Sequence, residues 1–335
     1  MPRLVATVLF SLGLLATASG CSTNPATERS QFLLMSDEQE IALGAEAKPQ
    51  LVTEYGGEVK SADLRAYVDG IGKRMAALTE ADYPNLPWEF TVLDSDVINA
   101  FALPGGKVFI SRALMSYMSN EAQLAAVLGH EIGHVTAKHG NERISQAMVI
   151  QGIAEAFTGD SAVGQIVPLV VGAGGQGYLL KFGRDQERES DRLGMRYMTA
   201  AGYDPMGMVE LLGILVSVST GERPPEFLST HPNPESRQRD ARQLVETTYA
   251  HTQGNPSFGL FADRFARRAK PYLPPPPGAS LRQEGLPTLA ADTSSAESVG
   301  SVSVGSLDDA PATRHRLLAR VGGWCAHCRF GGPVD

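Results

Sequence analysis

Leu128-Gly129-His130-Glu131-Ile132-Gly133-His134 lies inside an apolar run with helical spacing that starts near Asn120 and continues past Val135. Helical residues four apart lie on one face, one turn from each other. That spacing lets His130 and His134 hold a single metal ion through their ring nitrogens. Glu131, one residue round the helix, reaches a water on that ion. Bound zinc lowers the pKa of such a water, and a carboxylate so placed can take its proton. A helix with two satisfied core histidines reads the same way, so the decision rests on the rest of the chain.

The motif helix is expected over Glu121 to Lys138, with Ala122, Leu124, Ala125, Val127, Leu128 and Ile132 as its buried surface. Gly129 and Gly133 carry no side chain, which lets another element approach closely. His139 is expected at the surface, because on a continuing helix its face differs from that of the histidine pair. Two histidines do not complete a catalytic zinc site, which needs a third protein ligand and an open position. A second periodic segment, Gly183-Arg184-Asp185-Gln186-Glu187-Arg188-Glu189-Ser190-Asp191, supplies one. Glu187 and Asp191 are again one turn apart. Glu187 is the third ligand in this reading. Asp191 then accepts a hydrogen bond from the far ring nitrogen of His130, fixing its orientation and raising its basicity. Glu189 turns away from that row and suits a solvated face.

Four stretches together resemble peptidase family M48, the Ste24/HtpX/Oma1-like gluzincins, and in particular the periplasmic BepA/LoiP-like lipoprotein subgroup. They are Asn99-Ala100-Phe101-Ala102-Leu103-Pro104-Gly105-Gly106, the His130 to His134 motif, Arg184 to Asp191, and Ser229-Thr230-His231-Pro232. The resemblance covers roughly residues 36 to 250. It implies an α+β fold: a mostly helical zincin domain with a small β-sheet beside the active-site helix. It also implies a single Zn2+ per chain on His130, His134 and Glu187, with Glu131 as catalytic base. His231 resembles a fourth ligand that holds the latent state, although a local loop-capping role is the other reading. Arg237 matches an arginine linked with the active cleft and the transition-state oxyanion. The implied activity is zinc-dependent endopeptidase action on misfolded or stalled envelope proteins. Implied partners are such unfolded or misassembled polypeptides and the outer-membrane assembly machinery. A membrane-anchored chaperone or assembly scaffold with latent or minor cleavage is the alternative. Gly183 and Ser190 stand where many members have serine and alanine; neither change removes a ligand.

The chain opens Met1-Pro2-Arg3, followed by an apolar run from Leu4 to Ala18 and then Ser19-Gly20-Cys21. This reads as a secretory signal, too short to span a bilayer as a helix. The cysteine after small residues resembles a lipoprotein box, which predicts acylation of Cys21 and attachment to a lipid bilayer; an incidental cysteine after an ordinary signal is the other reading. Ser22 in place of aspartate implies the periplasmic face of a Gram-negative outer membrane. The expected organisation is a signal peptide over 1–20, a polar tether over 21–35, the peptidase domain over 36–270 and a disordered tail over 271–335. That tail begins near Pro274-Pro275-Pro276-Pro277, an extended linker sequence. The formal charge of -8 and the lack of a basic stretch exclude a dedicated nucleic-acid binder. Of three cysteines, Cys325 and Cys328 are too few for a four-ligand zinc site and suit a disulfide in an oxidising compartment.

Elsewhere, Ser36 with Gln39 predicts a capping box and a helix ending near Lys48, ahead of Pro49. A second helix is expected from Ser61 or Ala62 to about Leu78, then strands at Trp88–Leu93, Asn99–Leu103 and Lys107–Ile110. The last two strands read as a hairpin, open between an ordinary turn of sheet and an edge offered to an extended peptide. Val163 to Gly177 is open between lid, buried connector and lipid contact.

Overall fold

The computed structural model describes residues 21–151, 166–168, 181–219 and 225–276. The expected signal peptide, most of Val163 to Gly177, the Cys325 and Cys328 pair and nearly all of the expected tail lie outside these residues. Among the described residues, no helix is long and apolar enough to cross a membrane.

A short hairpin opens the described chain: β1 (Cys21–Thr23) pairs antiparallel with β2 (Ser30–Phe32). This corrects the expected polar tether over 21–35. Asn24 and Gln31 are buried, and each donates through its side-chain amide to a backbone carbonyl at the end of the motif helix. Asn24 Nδ2 reaches Thr136 O at 2.9 Å and Gln31 Nε2 reaches Ala137 O at 2.8 Å. The last carbonyls of a helix have no partner within it, and these two buried side chains satisfy two of them.

α1 (Asp37–Glu54) begins at the Ser36–Gln39 capping box and runs straight through Pro49. The expected stop near Lys48 is overruled by burial further along. Leu51 and Tyr55 pack into a cluster with Leu93, Phe101 and Phe109. A buried large apolar side chain contributes about 1.5–3 kcal/mol, so the pair offsets the ~3 kcal/mol cost of an interior proline. α2 (Ala62–Ala76) starts where Ser61 Oγ accepts from Leu64 N at 3.2 Å, and its Leu64, Val68, Ile71 and Met75 stripe faces the main core.

The sheet has three strands in the order β3 (Glu89–Leu93), β5 (Lys107–Ser111), β4 (Ala100–Leu103). β4 and β5 form the hairpin through Pro104-Gly105-Gly106, and β3 adds in parallel with Phe90 opposite Val108. A short α3 (Arg112–Ser116) leads to α4 (Glu121–Thr136), the motif helix. Then follow α5 (His139–Gln151), α6 (Arg184–Ala200), α7 (Met206–Ser219), α8 (Glu226–Thr230), α9 (Pro234–Glu246) and α10 (Ala262–Arg268). The result is mostly helical with one small mixed sheet, the α+β arrangement.

α4 is the centre of the packing. It contacts β4 and β5 on one side and α2, α6 and α7 on the others. Every residue from Glu121 to Thr136 is buried, not only the expected apolar face. A helix enclosed all round must satisfy its polar groups internally. At its first turn Asn120 Oδ1 accepts from Gln123 N at 3.0 Å. Glu121, fully buried, accepts from Tyr67 and Tyr203 hydroxyls at 2.6 Å each and from Arg264. These ties hold the start of α4 to α2, to the segment after α6 and to α10.

Burial alone would raise the Glu121 carboxyl, but Arg264 and the two tyrosine hydroxyls hold it below its usual value of 4.5. A depressed folded value stabilises the native state fully above the unfolded value and progressively less as pH falls through the folded one. Glu121→Gln should therefore cost about 1–3 kcal/mol near neutral pH. In urea titrations the deficit should shrink as pH falls below 4.5. A deficit that stays constant into strong acid would contradict this assignment.

Candidate metal centre

The centre is built where α4 and α6 touch backbone to backbone. A Cβ on Gly129 would lie 3.0 Å from Gly194 O, and one on Gly194 would lie 2.8 Å from His130 N. A Cβ on Gly133 would lie 2.9 Å from Ser190 O. Only residues without side chains permit this approach. It sets the Glu187–Asp191 row of α6 against the His130–His134 row of α4.

His130, His134, Glu187 and His231 each direct one ligand atom into a group lying within 4.8 Å of one another. His130 Nε2 is 3.1 Å from His134 Nε2 and 3.2 Å from His231 Nδ1. Glu187 Oε1 lies 3.0 Å from His231 Nδ1 and 3.4 Å from His134 Nε2, while Oε2 lies 3.6 Å from His130 Nε2. Four donors held tetrahedrally at about 2.0–2.1 Å from an ion sit roughly 3.3 Å apart, which is the spacing found. Three imidazole nitrogens and a carboxylate converging on one point suit a cation there, and the N/O donor set suits zinc.

Glu131 stands beside the group with both carboxylate oxygens buried and without a hydrogen-bond partner. Its Oε1 is 3.8 Å from His231 Nε2, another buried atom without one. Burial pushes the Glu131 carboxyl up, against the pull of His231 and His130. Such a carboxylate has the basicity to accept a proton.

The flanking groups are charged and paired. Asp191 Oδ1 is 3.0 Å from His130 Nδ1, so His130 donates away from the group and keeps Nε2 directed into it. Arg237 donates to both Asp191 oxygens, from Nε at 2.7 Å and Nη2 at 2.6 Å, and ion-pairs with Glu187 through Nη1. Burial would raise Glu187 strongly, yet Arg237 and His231 hold it well below the usual carboxylate range. Burial opposes ionisation of Asp191 too, and Arg237 and His130 prevail. His231 is raised by Glu187 and Glu131 despite its burial. Burial pushes His134 well down, which leaves it neutral.

His130, His134, Glu187 and His231 thus meet, with Glu131 and Asp191 adjoining. Arg237 is buried against the two carboxylates, with Nη2 also 3.3 Å from His130 Nδ1. Cys21 lies apart from the group, in β1. His139 departs from its expected surface place: it is fully buried, with Nδ1 3.0 Å from His134 Nδ1. The helix ends at Thr136 and Lys138 adopts a left-handed conformation at φ +53°, turning the chain back. On one continuous helix His139 would face outward. Two aromatic residues that the sequence reading does not single out also contribute. Phe182 stacks on His134 at 3.9 Å between ring centres, and Phe227 stacks on His231 at 4.3 Å. Their signal was an aromatic side chain shortly before each ligand-bearing segment.

A fold whose central helix and its neighbour converge two histidines and a glutamate defines a gluzincin-type metal centre. The chain belongs to peptidase family M48, whose model matches residues 62–245, more than half its length. A beta-barrel assembly-enhancing protease from Yersinia pestis is 34% identical over 212 residues, covering 59% of this chain and 42% of that protein. One of the same description from Escherichia coli K12 is 35% identical over 192 residues, covering 53% of this chain and 38% of that protein. Mitochondrial metalloendopeptidase OMA1 of Schizosaccharomyces pombe is 30% identical over 226 residues, covering 66% and 65%. The chain spans less than half the length of the two bacterial relatives.

Gly133→Ala tests the helix contact directly. The new methyl meets the backbone of Ser190, which cannot rotate away. Overpacking of this kind costs about 1–3 kcal/mol and pushes Glu187 off the histidine pair. Purified protein should keep its far-ultraviolet circular dichroism and lose most of its bound metal by elemental analysis. Full metal content in a folded variant would show that the close approach is not what assembles the site.

Proposed function

We propose that this chain is a zinc-dependent endopeptidase acting on misfolded or stalled cell-envelope proteins. The observation that carries the reading is the unpartnered, buried Glu131 carboxylate beside a convergent His130, His134 and Glu187 set. Those three residues would hold zinc, which would supply Lewis acidity for the scissile carbonyl and for a bound water. Glu131 removes a proton from the attacking water and delivers it to the leaving amine. Asp191 orients His130, and Arg237 holds Glu187 and Asp191 in register and balances their charge.

His231 accounts for restraint. Its Nδ1 stands in the ligand group, and all five of His130, Glu131, His134, Glu187 and His231 are at most 3% exposed. The segment carrying it is latched to the chain just before β4 and to the end of α1: Glu226 Oε1 accepts from Asn99 Nδ2 at 3.1 Å and from the Tyr55 hydroxyl, and Phe227 N donates to Ile98 O at 3.3 Å. In this reading the latch opens and His231 swings out before a substrate chain enters along β4. The substrate class and an envelope location are supported by the bacterial relatives described as beta-barrel assembly-enhancing proteases. Attachment to the periplasmic face of the outer membrane through an acylated Cys21 completes the proposal. The closed ligand group equally suits a second reading, an anchored chaperone or assembly scaffold in which cleavage is latent.

Glu131→Gln should retain zinc and lower cleavage of an unfolded protein such as casein by at least about 100-fold. Equal activity would remove Glu131 from the chemistry. If the same variant restored envelope integrity to a deletion strain, the scaffold reading would prevail. His231→Ala should raise casein cleavage over wild type; unchanged turnover in a folded, zinc-loaded variant would contradict the latch.

A further inference from the structure

His134 is oriented differently from its partner. His130 leans on a carboxylate, but no carboxylate among the described residues faces His134 Nδ1. The group there is the His139 ring, with its Nδ1 at 3.0 Å. His139 Nε2 in turn lies 2.9 Å from Glu189 Oε2. A carboxylate only accepts, so Nε2 carries the His139 proton and donates it. The Nδ1 of a neutral His139 then accepts from His134 Nδ1–H, and His134 Nε2 is left with its lone pair facing His130 and Glu187. Ser190 Oγ, at 3.4 Å, is a more distant donor to the same His139 nitrogen.

Glu189 is not on a solvated face as its position in the sequence suggested. Its side chain is 13% exposed and gripped by Arg29, whose Nε lies 3.1 and 3.2 Å from the two carboxylate oxygens and whose Nη2 lies 3.0 Å from Oε2. This fork-to-fork pairing fixes the carboxylate plane. Arg29 sits in the turn between β1 and β2. The same hairpin holds the end of α4 through Asn24 and Gln31, at the two carbonyls that follow His134 most closely after Val135.

We propose that the N-terminal hairpin is a working part of the metal centre: Arg29, acting through Glu189 and His139, is a positioning residue that presents His134 Nε2 to the metal. The proposal rests on His134 being a metal ligand. Groups that orient metal-bound histidines typically contribute 10- to 100-fold in metal affinity. In this chain that contribution crosses from α6 to a segment more than a hundred residues upstream in sequence.

The test is the zinc dissociation constant of the full chain, measured against a chromophoric chelator, with the visible spectrum of the cobalt-substituted protein as a second readout. His139→Leu should weaken zinc about 10- to 100-fold and alter the cobalt spectrum. His139→Asn, whose side-chain oxygen can accept from His134, should recover most of the affinity. Arg29→Ala, at a half-exposed position that tolerates truncation, should weaken zinc about tenfold with unfolding behaviour unchanged. Wild-type affinity in Arg29→Ala, or equal losses in His139→Leu and His139→Asn, would overturn the proposal. His134→Ala separates the two levels: wild-type zinc affinity there would overturn the ligand assignment itself, whereas a large loss there beside an unaffected Arg29→Ala would overturn only the hairpin's role.

Discussion

Everything in the site depends on two helices meeting without side chains between them. Gly129 and Gly133 on α4 and Gly194 on α6 bring the backbones so near that an added methyl would strike main-chain atoms. Helices packed through ordinary side chains stand about 8–10 Å apart at their axes. A wider separation would carry Glu187 away from the histidine nitrogens it now lies 3.4–3.6 Å from. The glycines thus fix the reach of the ligands, and the helix period fixes their direction. The remaining contacts of α4, to the sheet and to α2 and α7, hold it in a place where no residue can turn to solvent.

Enclosure creates an electrostatic problem that the site solves collectively. Glu131, Glu187 and Asp191 bring three carboxylates into the interior, and Arg237 is the permanent cation among them. Three against one leaves an excess of about two negative charges when all are ionised, the charge a divalent cation neutralises. Isolated buried charges are very costly, whereas a set balanced by a cation and by oriented hydrogen bonds is tolerated. Arg237 keeps Glu187 and Asp191 ionised. Glu131 has no such partner at hydrogen-bond distance, so it is the carboxylate in the set that retains basicity. The division between the proposed ligand and the proposed base follows from where the guanidinium lies.

The local features were legible in the sequence because they are encoded by near neighbours. The four-residue spacings put His130 with His134 and Glu187 with Asp191, the capping box marked the start of α1, and Pro104-Gly105-Gly106 marked the hairpin. What the sequence concealed depends on contacts between distant residues. Burial of Leu51 and Tyr55 carries α1 past Pro49. The left-handed backbone at Lys138 turns His139 inward, where reading α4 onward as one helix had turned it out. Polar residues such as Asn24, Gln31 and Arg29 resemble a tether until the carbonyls and the carboxylate they bind are in place. The pairing of Arg237 with both Glu187 and Asp191 is likewise visible only once α6 and α9 are in place.

Anomalous diffraction collected on either side of the zinc absorption edge, from crystals of the full chain, decides whether these residues form a single metal centre. One edge-dependent peak per chain is expected, about 2.0–2.1 Å from His130 Nε2, His134 Nε2 and a Glu187 oxygen. A zinc peak bound elsewhere, or a Glu187 carboxylate turned away from a metal held by the two histidines, would contradict it.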